Sequence, residues 1–290
     1  MSIGGGTELV ITTDRTSNGP TIVYPSTKAT GGAPAVEDFV QANFARDPWA
    51  GTSMLAAAET VARERGISRD ELDDVAVLRY EQYQRALADE RSFQQEYMIP
   101  VEIRIGRTKI EEATDSGVRP IDRAAIAGLR PAVPDGVHTG ASQTHPADGV
   151  AGAIVTTTAR ARELRAGPVT QILSTGFARV APTHMPEAPV PPALRALDAA
   201  GLAMNQVDAI TTHNPFAVND IVFAHETGVD LAKMNSFGCS MIWGHPQAPT
   251  GTRAVAELVT ELTLRGGGVG LFTGCAAGDT AAAIVIRVGD

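Results

Sequence analysis

Cysteine is scarce: the 290 residues hold two, Cys239 and Cys275, too few for a disulfide framework. A reducing, cytoplasmic setting is therefore the expectation. Long apolar runs are lacking too, since none approaches the roughly 20 residues that a helix needs to cross a bilayer, and no membrane association is expected. The opening residues, Met1-Ser2-Ile3-Gly4-Gly5-Gly6, carry neither the basic nor the apolar stretch of a secretory signal. Basic side chains are in the minority, 24 Lys and Arg against 33 Asp and Glu. The resulting formal charge of −9 disfavours nucleic acid as a partner, because phosphate binding needs a basic face. His138 and His145 stand close in sequence, but no cysteine lies near them and the flanking turn formers suit a loop, so no metal site is expected. What is present is 43% hydrophobic content in a chain long enough to bury one or two sizeable cores.

The stretch from Asn235 to Asp290 holds the residues with chemistry to offer. Gly244-His245-Pro246 presents a histidine on a turn, and Gly274-Cys275-Ala276-Ala277-Gly278-Asp279 presents a thiol on a turn of small residues. Between them, Val255, Leu258, Val259 and Leu262 fall on one helical face; Thr250 or Thr252 can cap the start and Gly266-Gly267-Gly268 can end it. Val269 to Phe272 and Ala281 to Val288 read as neighbouring strands with Cys275 at the end of the first. The helix has the length needed to fold one turn back toward the other, which makes His245 and Cys275 a candidate acid/base pair.

Further strands are expected at Thr7 to Thr12, at Tyr97 to Val101, at Val150 to Thr157 and at Val207 to Thr212, the last delivering His213 to its tip. Helical patterns cover Thr52 to Arg65 and Ser68 to Phe93, where Ser68-Arg69-Asp70-Glu71 reads as a capping box. Arg79, Glu81 and Arg85 are assigned to the solvated face of that second helix. Ala159 to Gly167 and Ala193 to Ala200 also read as helices, the latter after a proline-rich loop from Pro182 to Pro192. Cys239 is read as a small buried residue and not as a nucleophile.

The Asn-x-x-Gly segment at Asn235, the Gly-His-Pro turn, the amphipathic helix, the Gly-rich turn and the strand ending in Cys275 together resemble the C-terminal domain of the thiolase family. Upstream, Thr212-His213-Asn214-Pro215-Phe216-Ala217 sits where that family carries Asn-Glu-Ala-Phe, or the His-containing variant of its sterol-carrier branch. Ala58 to Asp73 and His138 to Gly149 resemble two further family stretches. The fold implied is α/β, a layered α-β-α-β-α arrangement with an incomplete first domain, an inserted loop domain and a complete C-terminal domain. Residues 1–20 and 146–167 would be the remnant of the N-terminal domain, 21–145 the loop domain over the active site and 168–290 the C-terminal domain.

The resemblance also implies roles. His245 would activate a nucleophilic thiol, Cys275 would move the α-proton of an acyl-CoA, and His213 would hold a water or carbonyl oxygen in a first oxyanion hole. Ala277, two residues beyond Cys275, would offer its N–H to a second. Met54, Thr144 and Phe216 fall at coenzyme A-contacting positions. The sequence departs from the family's Cys-x-Gly-Gly-Gly, since Ala277 adopts positive φ less freely than glycine. It also departs in the nucleophile: the family acylates a cysteine at a helix start in its first domain, and no cysteine precedes Cys239 here. The expectation is an acyltransferase handling acyl-CoA thioesters, by Claisen condensation or by thiolysis of a 3-ketoacyl-CoA. Its nucleophile would come from a missing N-terminal segment or a partner subunit, within a homo- or hetero-oligomer. No permanently bound cofactor is implied; coenzyme A and acyl-CoA are substrates. Two alternatives stand beside it: a non-catalytic coenzyme A-binding subunit, and an aldolase-type carbon–carbon lyase.

Overall fold

A computed structural model describes residues 6–26, 32–164 and 167–289. In chain order, β1 (Glu8–Arg15) is followed by the antiparallel pair β2 (Thr21–Tyr24) and β3 (Ala35–Asp38), then by helices α1 (Phe39–Ala45), α2 (Met54–Arg65), α3 (Arg69–Ala86) and α4 (Ala88–Gln95). A hairpin of β4 (Val101–Ile105) and β5 (Thr108–Glu112) leads through α5 (Arg123–Ala127) to β6 (Asp148–Val155) and α6 (Thr158–Leu164). The remainder comprises β7 (Thr170–Arg179), α7 (Val190–Ala199), β8 (Ala209–His213), α8 (Ala217–Thr227), one-turn α9 (Ser240–Trp243), α10 (Ala248–Leu264), β9 (Gly268–Ala276) and β10 (Thr280–Val288).

The centre is a four-stranded sheet ordered β7-β10-β9-β8, antiparallel except for the parallel β8–β9 pair. Strand alternation gives it two apolar faces. Leu271, Ala283 and Val285 meet Ala193, Ala196 and Leu197 of α7 on one face; Ile286 and Val288 meet Leu258 and Leu262 of α10 on the other. The missing side chain at Gly270 admits α10, since a Cβ there would lie 2.8 Å from Leu262 Cδ1. Beyond α10 lies the antiparallel β1–β6 ladder, joined to it by the Thr12 hydroxyl donating to Thr252 Oγ1 at 3.1 Å. The layers therefore run helix, sheet, helix, sheet. On the far face of the ladder Leu9, Ile11, Val150 and Ile154 are open to solvent, and no described element covers them.

Residues 21–145 share their core with the C-terminal part. Ala58, Val61 and Ala62 of α2 and Leu72, Val75 and Ala76 of α3 pack in one cluster with Val218, Ile221 and Val222 of α8. Ser68 and Glu71 form the expected capping box. The pattern read as continuous from Ser68 to Phe93 breaks after α3, where Asp89, Glu90 and Arg91 take positive φ. That break lets Phe93 stack on Phe237 with ring centroids 3.9 Å apart.

Arg79 corrects another expectation. It is fully buried, bonded to Asp220 of α8, and not on a solvated face. α7 starts three residues earlier than read, because proline is accommodated in a first turn whose N–H groups have no helical partner. α10 likewise begins at Ala248 with Pro249 in its first turn, so Thr250 and Thr252 lie inside the helix and cap nothing. The helix expected over Ala159 to Gly167 is described as far as Leu164; residues 165 and 166 lie outside the described residues.

Candidate active site

Two turns and one strand end bring the candidate residues together. β8 runs parallel to β9 with His213 opposite Gly274, and a Cβ on Gly274 would come within 2.8 Å of His213 Cβ, so only glycine fits there. Gly244 has φ 98°, and a Cβ there would press against Ala147 and His145. The turn it permits lets the His245 N–H donate to the His145 carbonyl at 2.8 Å. The two imidazoles consequently stack, with centroids 4.3 Å apart and planes 25° from parallel. A hydroxyl anchors each ring: His213 Nδ1 lies 2.8 Å from Ser240 Oγ and His245 Nδ1 lies 2.7 Å from Thr250 Oγ1. Nε2 is left in each ring for a ligand.

Burial sets the protonation states. Desolvation, with the facing His245 as a second cause, holds His213 well below the ordinary imidazole value, and desolvation takes His245 down to about 4. Both are neutral bases near pH 7. Burial likewise pushes the Cys275 thiol up to about 12, against the hydrogen bond that Asn219 Nδ2 donates to its sulfur at 3.5 Å. Cys275 is thus a protonated thiol at rest, able to give a proton. Cys239 is buried at the start of α9 and is also pushed up to about 12 by burial, a poor nucleophile.

One cavity of about 570 Å³ is lined by His213, His245, Cys275, Thr144, Met54, Phe216 and Ala277, so all seven residues singled out from the sequence reach the same space. Thr144 is oriented by donating its hydroxyl to the Ser240 carbonyl at 2.6 Å, which leaves its lone pairs for a ligand donor. The Ala277 N–H lies in the turn beyond Cys275, while the next N–H, of Gly278, donates to Asp47 at 2.6 Å. His138 does not reach this cavity; it is buried behind Phe216, its Nδ1 3.2 Å from the Glu59 carboxylate. Among the described residues, no group of three or more His, Cys, Asp and Glu is placed to hold a metal.

Sequence reasoning missed several contributors. Phe39, Val40 and Phe44 of α1 form an apolar wall of the cavity, and Ser240, Thr250 and Asn219 orient His213, His245 and Cys275. The two hydroxyls were findable, since each stands five residues from His245. α1 gave no such signal.

The fold is thus a layered α/β one in which paired histidines and a buried thiol share a ligand-sized cavity. Family comparison narrows the class. The model described as the thiolase N-terminal domain matches residues 1–159, and that of the thiolase C-terminal domain matches residues 166–288. The chain belongs to the thiolase family. It is 32% identical over 249 residues to a 3-ketoacyl-CoA thiolase of Bacillus subtilis (strain 168), covering 81% of this chain and 63% of that protein. Against a 3-ketoacyl-CoA thiolase of Escherichia coli O6:H1 the identity is 34% over 258 residues, covering 82% and 58%. The chain therefore spans about six-tenths of the length of the curated relatives it matches. The crystal structure of human mitochondrial 3-ketoacyl-CoA thiolase superposes with a TM-score of 0.89 at 26% identity, over 97% of this chain and 72% of that one. Its complex with CoA superposes at 0.87 and 26% identity.

Proposed function

We propose that this chain forms the acid/base and coenzyme A-binding part of a thiolase-type acyltransferase, acting on acyl-CoA thioesters by thiolysis of a 3-ketoacyl-CoA or the reverse Claisen condensation. The observation that carries the reading is the convergence of His213, His245 and Cys275 on one cavity with Thr144, Met54, Phe216 and Ala277.

Thiolysis assigns each group a task. A cysteine thiol supplied by an upstream segment or by a partner subunit gives its proton to neutral His245 and attacks the 3-keto carbon. The carbon–carbon bond then breaks, the acyl group stays on the cysteine and the two-carbon CoA fragment leaves as an enolate. Cys275, a thiol at rest, delivers the proton that turns the enolate into acetyl-CoA. The Cys275 thiolate takes the proton of a second coenzyme A thiol, whose sulfur takes the acyl group, and the freed cysteine recovers its proton from His245, so both groups return to their resting states. Oxygen charge builds at two places. His213 Nε2 faces one, and the Ala277 N–H faces the thioester oxygen of the enolate. The apolar wall from Phe39, Val40 and Phe44 excludes water from the acyl-enzyme. Coenzyme A enters as substrate, and no permanent cofactor takes part.

The test is thiolysis of a 3-ketoacyl-CoA by the complete assembly, followed by loss of substrate. His245→Ala and Cys275→Ala should each lower turnover by about 10²–10⁴-fold, the usual share of a positioned acid or base. Wild-type turnover in either variant would overturn the assignment.

A further inference from the structure

A fully buried ion pair lies directly behind His213 and takes no part in the roles above. Arg79 of α3 and Asp220 of α8 are 0% and 1% exposed. The Asp220 carboxylate accepts from Thr212 Oγ1 at 2.7 Å, Asn214 Nδ2 at 2.8 Å, Arg79 Nε at 2.9 Å and Asn235 Nδ2 at 3.3 Å. Thr212 and Asn214 are the two chain neighbours of His213. Asn235 ties the same point again, its Oδ1 accepting the Thr212 N–H at 2.8 Å and its Nδ2 donating to Thr212 Oγ1 at 2.9 Å. Arg79 is fixed in turn, with Nη1 donating to the carbonyls of Leu231 and Met234 and to Gln82 Oε1 at 2.7–3.0 Å.

Burying two charges is poorly rewarded in stability, because the desolvation of each ion offsets most of their attraction, and apolar residues of the same volume commonly serve as well. An apolar pair could not hold the side chains on both sides of one residue. We propose that the Arg79–Asp220 pair is a positioning device: through Thr212 and Asn214 it sets the His213 backbone so that the imidazole meets Ser240 and stacks on His245 in the cavity. Arg79 and Asp220 never touch substrate; they act through His213. The inference rests on His213 working in the acyl-thioester cavity.

The test uses the full chain with ¹⁵N-labelled histidine. In the native protein His213 should give one neutral tautomer, unchanged from pH 8 to pH 5. In the neutral double variant Arg79→Met/Asp220→Asn, folded by circular dichroism, the His213 nitrogens should shift to a mixture of tautomers while His138 stays as it was. Asn214→Ala, which removes one tether and no charge, should move the same signals, and it serves alone if the double variant fails to fold. In the complete assembly kcat should fall by about 10²-fold, the effect of displacing a catalytic group by about 1 Å, with KM within twofold. A folded variant with unmoved His213 signals would overturn the proposal and leave the pair as packing only. An assembly with no thiolase activity, in which the His213 signals still respond, would overturn the functional reading and leave the clamp standing.

Discussion

His245 enters the cavity uncharged because its turn buries the ring against His213 and Thr250, and that burial links it to stability. Its value in the folded chain, about 4, lies below the ordinary 6.5 that it regains on unfolding. Between these two values the unfolded chain binds a proton that the folded chain refuses, so stability falls as pH drops through this window and is fully present above about 6.5. His213, lowered in the same direction, adds to the slope. Urea titrations of the native chain and of His245→Gln at pH 7 and pH 4.5 should show the native chain losing more stability, by about 1–3 kcal/mol. Equal losses would mean that the imidazole is solvated. At this scale legibility depended on sequence distance. His245 and its glycine are adjacent, so the turn could be read; Arg79 looked like a surface charge because Asp220, which explains its burial, is 141 residues away.

Elements were legible where their ends carry local chemistry. Ser68 and Glu71 marked the start of α3, and Gly66, at φ 65°, ended α2. They were illegible where packing decided. The proline-rich stretch at 189–192 reads as loop from composition, yet it opens α7, because β7 offers the helix a seat with no side chain in the way. A Cβ on Gly176 would stand 2.1 Å from the Pro192 carbonyl oxygen and 3.1 Å from the Ala196 nitrogen. Gly176→Ala should therefore lift α7 off the sheet. The expected destabilisation is about 1–3 kcal/mol, read as a lower urea midpoint at an unchanged slope. A loss within about 0.5 kcal/mol, the range of an ordinary surface change, would show the close approach to be soft. α1 was missed for a third reason: a seven-residue helix with Val40 as its one buried residue has too little periodicity to detect, although its aromatic side chains wall the cavity.

At the level of the whole molecule the layering is uneven. The four-stranded sheet is covered by helices on both faces, whereas the β1–β6 ladder rests on α10 and turns its other face outward. Leu9 and Ile154 are cross-strand partners on that face, 68% and 63% exposed, flanked by Ile11 and Val150. Among the described residues neither strand has a second neighbour, so the ladder also offers two open edges. Two strands alone are marginal in water, and an apolar face beside unpaired backbone groups favours association. The strength of that tendency can be measured. Light scattering on the purified chain should give a mass above that of one copy, falling toward a single copy as the protein is diluted. Leu9→Lys with Ile154→Lys should shift it to a single copy without moving the histidine NMR signals of the cavity, because the face toward α10 and its Thr12–Thr252 contact are untouched. A native chain that stays monomeric at high concentration would show that the ladder is self-sufficient, and the need for a covering partner would then disappear.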